Sequence, residues 1–220
     1  MITASFTYKD GEEEITLTDE NSVAQYLSSI REGEYSGSAK ILGNAAWAYG
    51  HFLQPYLARI KGWTAGEAYE ALPYSGTVNV SAAGSGSGTH RYTLRTMDRD
   101  IVAAARYKLA LDADTALTLE VELKDTPADP VTMTVNGNSA VPAVNGKTYR
   151  VAVGGIAANN LGVAYPVTMK IGESVVFDIT VSPLSYVNAV LPLSAKEDEQ
   201  NALAALYEYW QAASSYAGQN

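Results

Sequence analysis

Residues 117–123, Leu-Thr-Leu-Glu-Val-Glu-Leu, place an apolar side chain at every second position and a polar one between. In an extended chain that period puts Leu117, Leu119, Val121 and Leu123 on one face and Thr118, Glu120 and Glu122 on the other. A strand with one buried and one wet face belongs in an antiparallel sheet. The pattern recurs at Val131, Met133 and Val135, at Tyr149, Val151 and Val153, and at Tyr165, Val167 and Met169. Asn136-Gly137 marks a hairpin turn, because both residues tolerate positive φ. The alanines of residues 100–111 would suit a helix. Yet Ile101, Ala103, Ala105, Tyr107, Leu109 and Leu111 alternate, so we read a strand. From Thr77 to Ile171 the chain reads as an antiparallel β-sandwich-like region.

The flanks switch to a period near 3.6. On the N-terminal side, Phe6 and Tyr8 alternate, Lys9-Asp10-Gly11-Glu12 turns the chain, and Ile15 and Leu17 alternate on the return. Val23, Tyr26, Leu27 and Ile30 then form one helical stripe, with Asp19, Glu20 and Asn21 placed to cap its start. A second helix is expected over residues 38–57, burying Ile41, Leu42, Ala45, Ala46, Tyr49 and Leu53. Pro55 should kink or end it, having no N–H for the helical ladder. Thr64-Ala65-Gly66-Glu67 is a capping box for a short helix ending near Leu72.

On the C-terminal side, Met169-Lys170-Ile171-Gly172-Glu173 is a turn, and Val175, Phe177, Ile179 and Val181 form the return strand. Ser182-Pro183 opens a helix that carries Val187, Val190 and Leu191 inward. Ser194-Ala195-Lys196-Glu197 reads as another capping box. The last helix carries Leu203, Leu206, Tyr207 and Trp210 and ends near Gly218.

Both ends thus follow the order strand, turn, strand, helix, loop, helix. Ile15-Thr16-Leu17-Thr18 matches Ile179-Thr180-Val181-Ser182, Val23 and Leu27 match Val187 and Leu191, and Asn44-Ala45 matches Asn201-Ala202. We expect an α+β fold. Residues 1–75 and 169–220 form two repeated hairpin-plus-helical-hairpin units around a β-region at 76–168, all as one cooperative body. A helical hairpin cannot bury its apolar face alone. The two should therefore pack side by side, with Tyr49 or Leu53 meeting Leu206 or Trp210.

Composition narrows the function. The chain has 220 residues and a net charge of −9, which speaks against a nucleic-acid partner, since phosphates are neutralised by clustered Lys and Arg. No apolar run approaches the roughly 20 residues that span a bilayer, so no membrane insertion is expected. Cysteine is absent, which removes disulfides and thiolate chemistry, and there are 2 His, which leaves little for a triad or a His-based metal site. Tyrosine, at 15 against 3 Phe, suits half-buried surfaces and polar ligands. No leader pattern precedes the first strand, and we expect a piece of a longer protein.

The segment Leu42-Gly43-Asn44-Ala45-Ala46-Trp47-Ala48-Tyr49-Gly50-His51-Phe52 resembles an alanine- and tyrosine-rich helix in large surface proteins of gut Firmicutes. Residues 182–187, Ser-Pro-Leu-Ser-Tyr-Val, and 201–213, from Asn201-Ala202-Leu203 to Gln211-Ala212-Ala213, resemble that family's closing helical pair. Residues 149–158 and 161–168 fit its last strands, whereas Pro55 and residues 91–106 depart from it. The resemblance implies a C-terminal helix/β module of a secreted, wall-attached protein. Such a module would be non-enzymatic, with a scaffold or adhesion role and a cell-wall or host glycan or protein as partner. No catalytic residue carries over.

The remaining candidates are weak chemistry. Gly84-Ser85-Gly86-Ser87-Gly88 lacks the Gly-Lys-Ser/Thr ending of a phosphate loop and reads as a flexible turn between strands. Asp112 and Asp114 could share calcium, but the other ligands are missing, so no metal or cofactor is expected. Glu12-Glu13-Glu14 and Glu197-Asp198-Glu199 could supply the acidic pair of a carboxylate-based glycoside hydrolase. We read them as a hairpin rim and a helix start. His51 and His90 have no sequence-visible partner. Arg91, Arg95, Arg99, Arg106 and Lys108, mixed with Asp98 and Asp100, read as a mixed-charge face. A glycan-binding alternative rests on Trp63, Tyr69, Tyr74 and Tyr92, whose rings could stack on sugars or simply staple helix to sheet.

Overall fold

The computed structural model describes residues 2–10, 13–21, 23–63, 73–111 and 114–218. The strands run β1 (Ile2–Asp10), β2 (Glu13–Asn21), β3 (Thr93–Met97), β4 (Val102–Ala110), β5 (Ala116–Leu123), β6 (Val131–Val135), β7 (Asn138–Ala140), β8 (Ala143–Asn145), β9 (Thr148–Val153), β10 (Tyr165–Ile171) and β11 (Ser174–Val181). The helices are α1 (Val23–Glu32), α2 (Gly37–Lys61), α3 (Val80–Ser87), α4 (Pro183–Val190) and α5 (Glu197–Ala217). The fold is α+β. One antiparallel sheet has the order β3-β11-β10-β6-β7 and a second the order β4-β5-β9-β8. Among the described residues, β1 and β2 pair only with each other.

The two larger sheets share one core. Leu117, Leu119, Val121 and Leu123 of β5 are buried with Met133, Val167, Met169 and Phe177 of the other sheet. Turn chemistry sets the registers. Asn136 and Gly137 take φ of 53° and 75°, so Val135 pairs directly with Asn138 and the strands twist in step. Asp10 pairs with Glu13; the turn expected over residues 9–12 includes residues 11 and 12, which lie outside the described residues.

Residues 102–110 are a strand, and a bulge modifies their alternation. Val102 pairs with Leu123 and Ala104 with Glu122, leaving Ala103 as an extra, exposed residue. Beyond it Ala105, Tyr107 and Leu109 point inward as the period demands. A second bulge between Met169 and Lys170 inserts Val176. Val176 is therefore buried beside Phe177, and Val175, expected inside, is exposed.

Several helical expectations are corrected. Asp19, Glu20 and Asn21, expected at the start of α1, are the last residues of β2, paired with Ala4, Thr3 and Ile2. Pro55 does not end α2, which runs on to Lys61 and stops at Gly62 in the left-handed conformation. A proline forfeits one ladder bond, yet α2, which packs against α5, continues past it. Ile41 is 61% exposed; Trp47 and Ala48 take the buried face instead. Ser194 does not cap α5. Lys196 holds that position, while the Ser194 hydroxyl accepts from Lys196 N and donates to Glu199 Oε2 at 2.6 Å. The capping box at Thr64 lies outside the described residues.

The glycine-rich run is not a turn. Residues 80–87 form α3, capped by the Asn79 side chain accepting from Ala82 N. Gly86 has no room for a side chain, since a Cβ there would sit 1.9 Å from the Tyr207 hydroxyl. Glycine costs helix stability, but here it lets α3 lie against α5. α1 uses the same device, with Ile30 over Gly43, and Arg31 adds a guanidinium 4.6 Å above the Trp47 ring.

α2 and α5 lie side by side, with Tyr49 stacked on Tyr209 at 5.5 Å and Arg59 paired with Asp198 at 2.5 Å. Tyr49, Leu53 and Trp210 pack on the core that contains Leu206. The two chain ends share an order of elements but differ in setting. β10 and β11 sit inside the five-stranded sheet, whereas β1 and β2 stand as a separate pair. Among the described residues, no helix is long and apolar enough to cross a membrane.

Candidate binding site at the open edges of the sheets

Among the described residues, β3 ends the five-stranded sheet and bonds only to β11; β4 ends the four-stranded sheet and bonds only to β5. Between these two edges lies a cavity of about 230 Å³. Leu94 and Met97 line it from β3, Ala105 and Tyr107 from β4, and Ala189 from α4. Its floor is Leu119, Phe177 and Ile179, which belong to the shared core, so the opening reaches the interior directly. Both edges are interrupted, β4 at Ala103 and β3 at Arg95, which is skipped where Thr96 pairs with Asp178 and Leu94 with Ile179. Such bulges end pairing and bend an edge away from its neighbours.

Aromatic rings border the cavity. Tyr92, at 49% exposure, and Leu94, at 44%, stand at the mouth. The Tyr92 ring lies 6.0 Å from that of Tyr107, which meets Tyr186 edge-on at 5.9 Å. The Tyr107 hydroxyl donates to the carbonyl of Ser185 at 3.2 Å. Burial raises the pKa of Tyr107 and, with nearby Tyr56 and Glu199, pushes Tyr186 up to about 12. Both phenols therefore stay protonated.

The outer face of the four-stranded sheet carries the charged side chains that the alternation turns away from the core. Register places Arg106 opposite Glu120 and Glu120 opposite Arg150. Glu120, 8% exposed, accepts from Lys108 at 3.2 Å and Arg150 at 2.6 Å, and Arg106 reaches Glu122 at 3.2 Å. A groove of about 370 Å³ runs over this lattice toward Asn145 and Thr148, and a neighbouring one of about 360 Å³ extends to Tyr56 and Ile60 of α2. The Lys108 and Arg150 hydrogen bonds hold the Glu120 carboxyl below the usual range. A glycosidase acid needs the opposite shift.

The sequence candidates are scattered. Trp63 is 45% exposed just past the end of α2. Tyr74 is half-buried against His51 at 5.6 Å and Phe52 at 5.8 Å. Tyr92 borders the open edge, and Tyr69 lies outside the described residues. Among the described residues no ring contact joins Trp63, Tyr74 and Tyr92. His90 packs edge-on against Trp210 at 5.1 Å, and burial lowers its pKa. Asp112 is outside the described residues, while the Asp114 carboxylate accepts from Gly155 N at 2.6 Å and shapes a loop. Glu197, Asp198 and Glu199 fill the first turn of α5. Arg95 pairs with Asp178 at 3.4 Å, in keeping with a mixed-charge face.

Sequence reading found Tyr92 but missed Leu94, Met97 and Tyr107 as neighbours. Period-2 alternation identifies strands without saying which two stand at an edge. Comparison of the chain with protein-family models, with curated proteins and with solved structures found no match.

Proposed function

We propose that the chain is a non-enzymatic adhesion module of a bacterial cell-surface protein, and that it binds through the opening between β3 and β4. The observation that carries this reading is an apolar cavity, continuous with the core, flanked by two strand edges that are unpaired among the described residues and by half-exposed Tyr92 and Leu94. Unpaired edges offer main-chain donors and acceptors to an extended partner, and an adjoining apolar pocket adds affinity and side-chain choice. The rest of the body is its scaffold: a β-sandwich backed by helices, which we read as two like helical hairpins laid against each other. The mutual pairing of Glu120, Lys108 and Arg150 favours an ionic brace over a catalytic carboxylate.

A glycan-binding reading is favoured by the exposure of Trp63 and Tyr92. Against it, the Tyr92 and Tyr107 planes differ by 59°, which makes no flat sugar platform. The test is binding of the purified chain to arrays of cell-wall and host glycans and to a panel of extracellular proteins. We expect retention of a protein ligand that Leu94→Glu abolishes and Trp63→Ala spares. Loss with Trp63→Ala alone would transfer the site to the glycan reading, and turnover of any glycan would overturn the non-enzymatic one.

A further inference from the structure

We infer that the opening between β3 and β4 receives the β1–β2 hairpin of a second copy of this chain, an assignment that rests on reading the opening as the binding surface. The donor is incomplete by itself. Among the described residues β1 and β2 pair only with each other, so each keeps one unpaired edge, and an isolated two-stranded hairpin is marginal in water. Its register pairs Phe6 with Leu17 and Tyr8 with Ile15. The acceptor is incomplete in the complementary way, with two edges unpaired among the described residues and an apolar cavity between them.

Length and charge both match. β1 and β2 each have 9 residues, β3 has 5 and β4 has 9, so a hairpin strand is long enough to pair with β3 and with the part of β4 between its Ala103 bulge and the end that α2 and α4 approach. The hairpin sequence carries Asp10, Glu12, Glu13, Glu14, Asp19 and Glu20 against Lys9. The edges that would receive it carry Arg91, Arg95 and Arg99 on one side and Arg106 and Lys108 on the other, interspersed with Asp98 and Asp100. Arg95 and Arg106 are held by exposed ion pairs to Asp178 and Glu122, which contribute little in water and can be exchanged. A neighbour's opening suits the hairpin better than its own. One residue, Ser22, separates β2 from α1, and neither α1 nor α2 lines the cavity. Donor and acceptor are different surfaces, so the contact is head-to-tail and propagates along a row of copies.

The absence of cysteine makes a clean test in the full chain. One tagged variant carries Thr93→Cys on β3; a differently tagged one carries Ser5→Cys or Thr18→Cys in the hairpin. A short bismaleimide should join the two tags when the variants are mixed. Sedimentation of the unmodified chain should show a mass that rises with concentration and falls with salt. Arg95→Glu with Arg106→Glu should weaken association about tenfold, and adding Glu13→Lys with Glu14→Lys should restore it, with circular dichroism confirming that each variant is folded. A chain that stays monomeric with no cross-link between tags, or one that cross-links only within a doubly substituted chain, overturns the inference. In that event, a panel ligand still lost with Leu94→Glu would leave the adhesion reading standing. Self-association through this contact without any panel ligand would instead sustain the inference and remove the adhesion reading.

Discussion

Gly86 and Tyr207 show how one absent side chain sets a helix contact. Tyr207 is buried, its ring lies 5.4 Å from that of Trp210, and its hydroxyl accepts from Gln211. The phenol cannot swing aside for a Cβ at residue 86. Gly86→Ala, although favourable for an isolated helix, should destabilise the fold by about 1–3 kcal/mol, read as a lower urea midpoint. An unchanged midpoint would mean that α3 does not lie as close to α5 as described. Glu120 makes a pH prediction. Hydrogen bonds from Lys108, and then Arg150, lower its folded pKa, so the folded chain binds that proton more weakly than the unfolded one. The stabilisation is complete above the ordinary Glu value of about 4.3 and is lost as pH falls through the lowered folded value. The difference in stability between wild type and Glu120→Gln should therefore be constant near neutrality and shrink on acidification. A difference that grows toward acid would contradict the brace.

Among the helix starts whose cap residue is described, that of α4 is the most complete. Ser182 accepts from Ser185 N at 3.0 Å, and Ser185 accepts from Ser182 N at 2.8 Å, both buried. Pro183 fills the first turn, where its missing N–H is harmless. Ser182→Ala should cost about 0.5–2 kcal/mol by chemical denaturation, because the cap cannot be replaced by water in a closed site. Ser182→Asp, which keeps an acceptor, should leave less of a deficit than Ala unless the buried carboxylate offsets it; equal deficits would show that burial outweighs capping. The bulges at Ala103 and Val176 show a different rule. One extra residue reverses the phase of every side chain beyond it, which turns Val175 out and Val176 in.

At the scale of the molecule, both sheets, α3, α4 and α5 contribute to one contiguous core. Trp47 donates to the carbonyl of Pro73 at 2.8 Å, and Trp210 packs on the core from α5, so tryptophan fluorescence reports the helical layer. Far-ultraviolet dichroism reports sheets and helices together. The two signals should give coincident unfolding curves, as a two-state transition requires. A separate, earlier fluorescence transition would show that the helical layer is a body apart from the sheets. Leu184, fully buried where α4 meets the core, tests the same unity: Leu184→Ala should cost about 2–5 kcal/mol and lower both transitions together.

Local chemistry was legible in the sequence. Alternation identified β5, β6, β9 and β10, Asn136-Gly137 identified its hairpin, and Ser182-Pro183 opened a helix where it should, because each depends only on residues close along the chain. Tyr92 could be suspected as an exposed aromatic for the same reason. What the tertiary structure alone decided was everything set by partners distant in sequence. α2 continues past Pro55 while packing against α5, and the Gly84–Gly88 run begins as a helix that meets Tyr207 through the space glycine leaves. The opening between β3 and β4 exists because those two strands end their sheets on either side of one cavity in a shared core. Edge position is a property of the pairing order, and no pattern within a single strand encodes it.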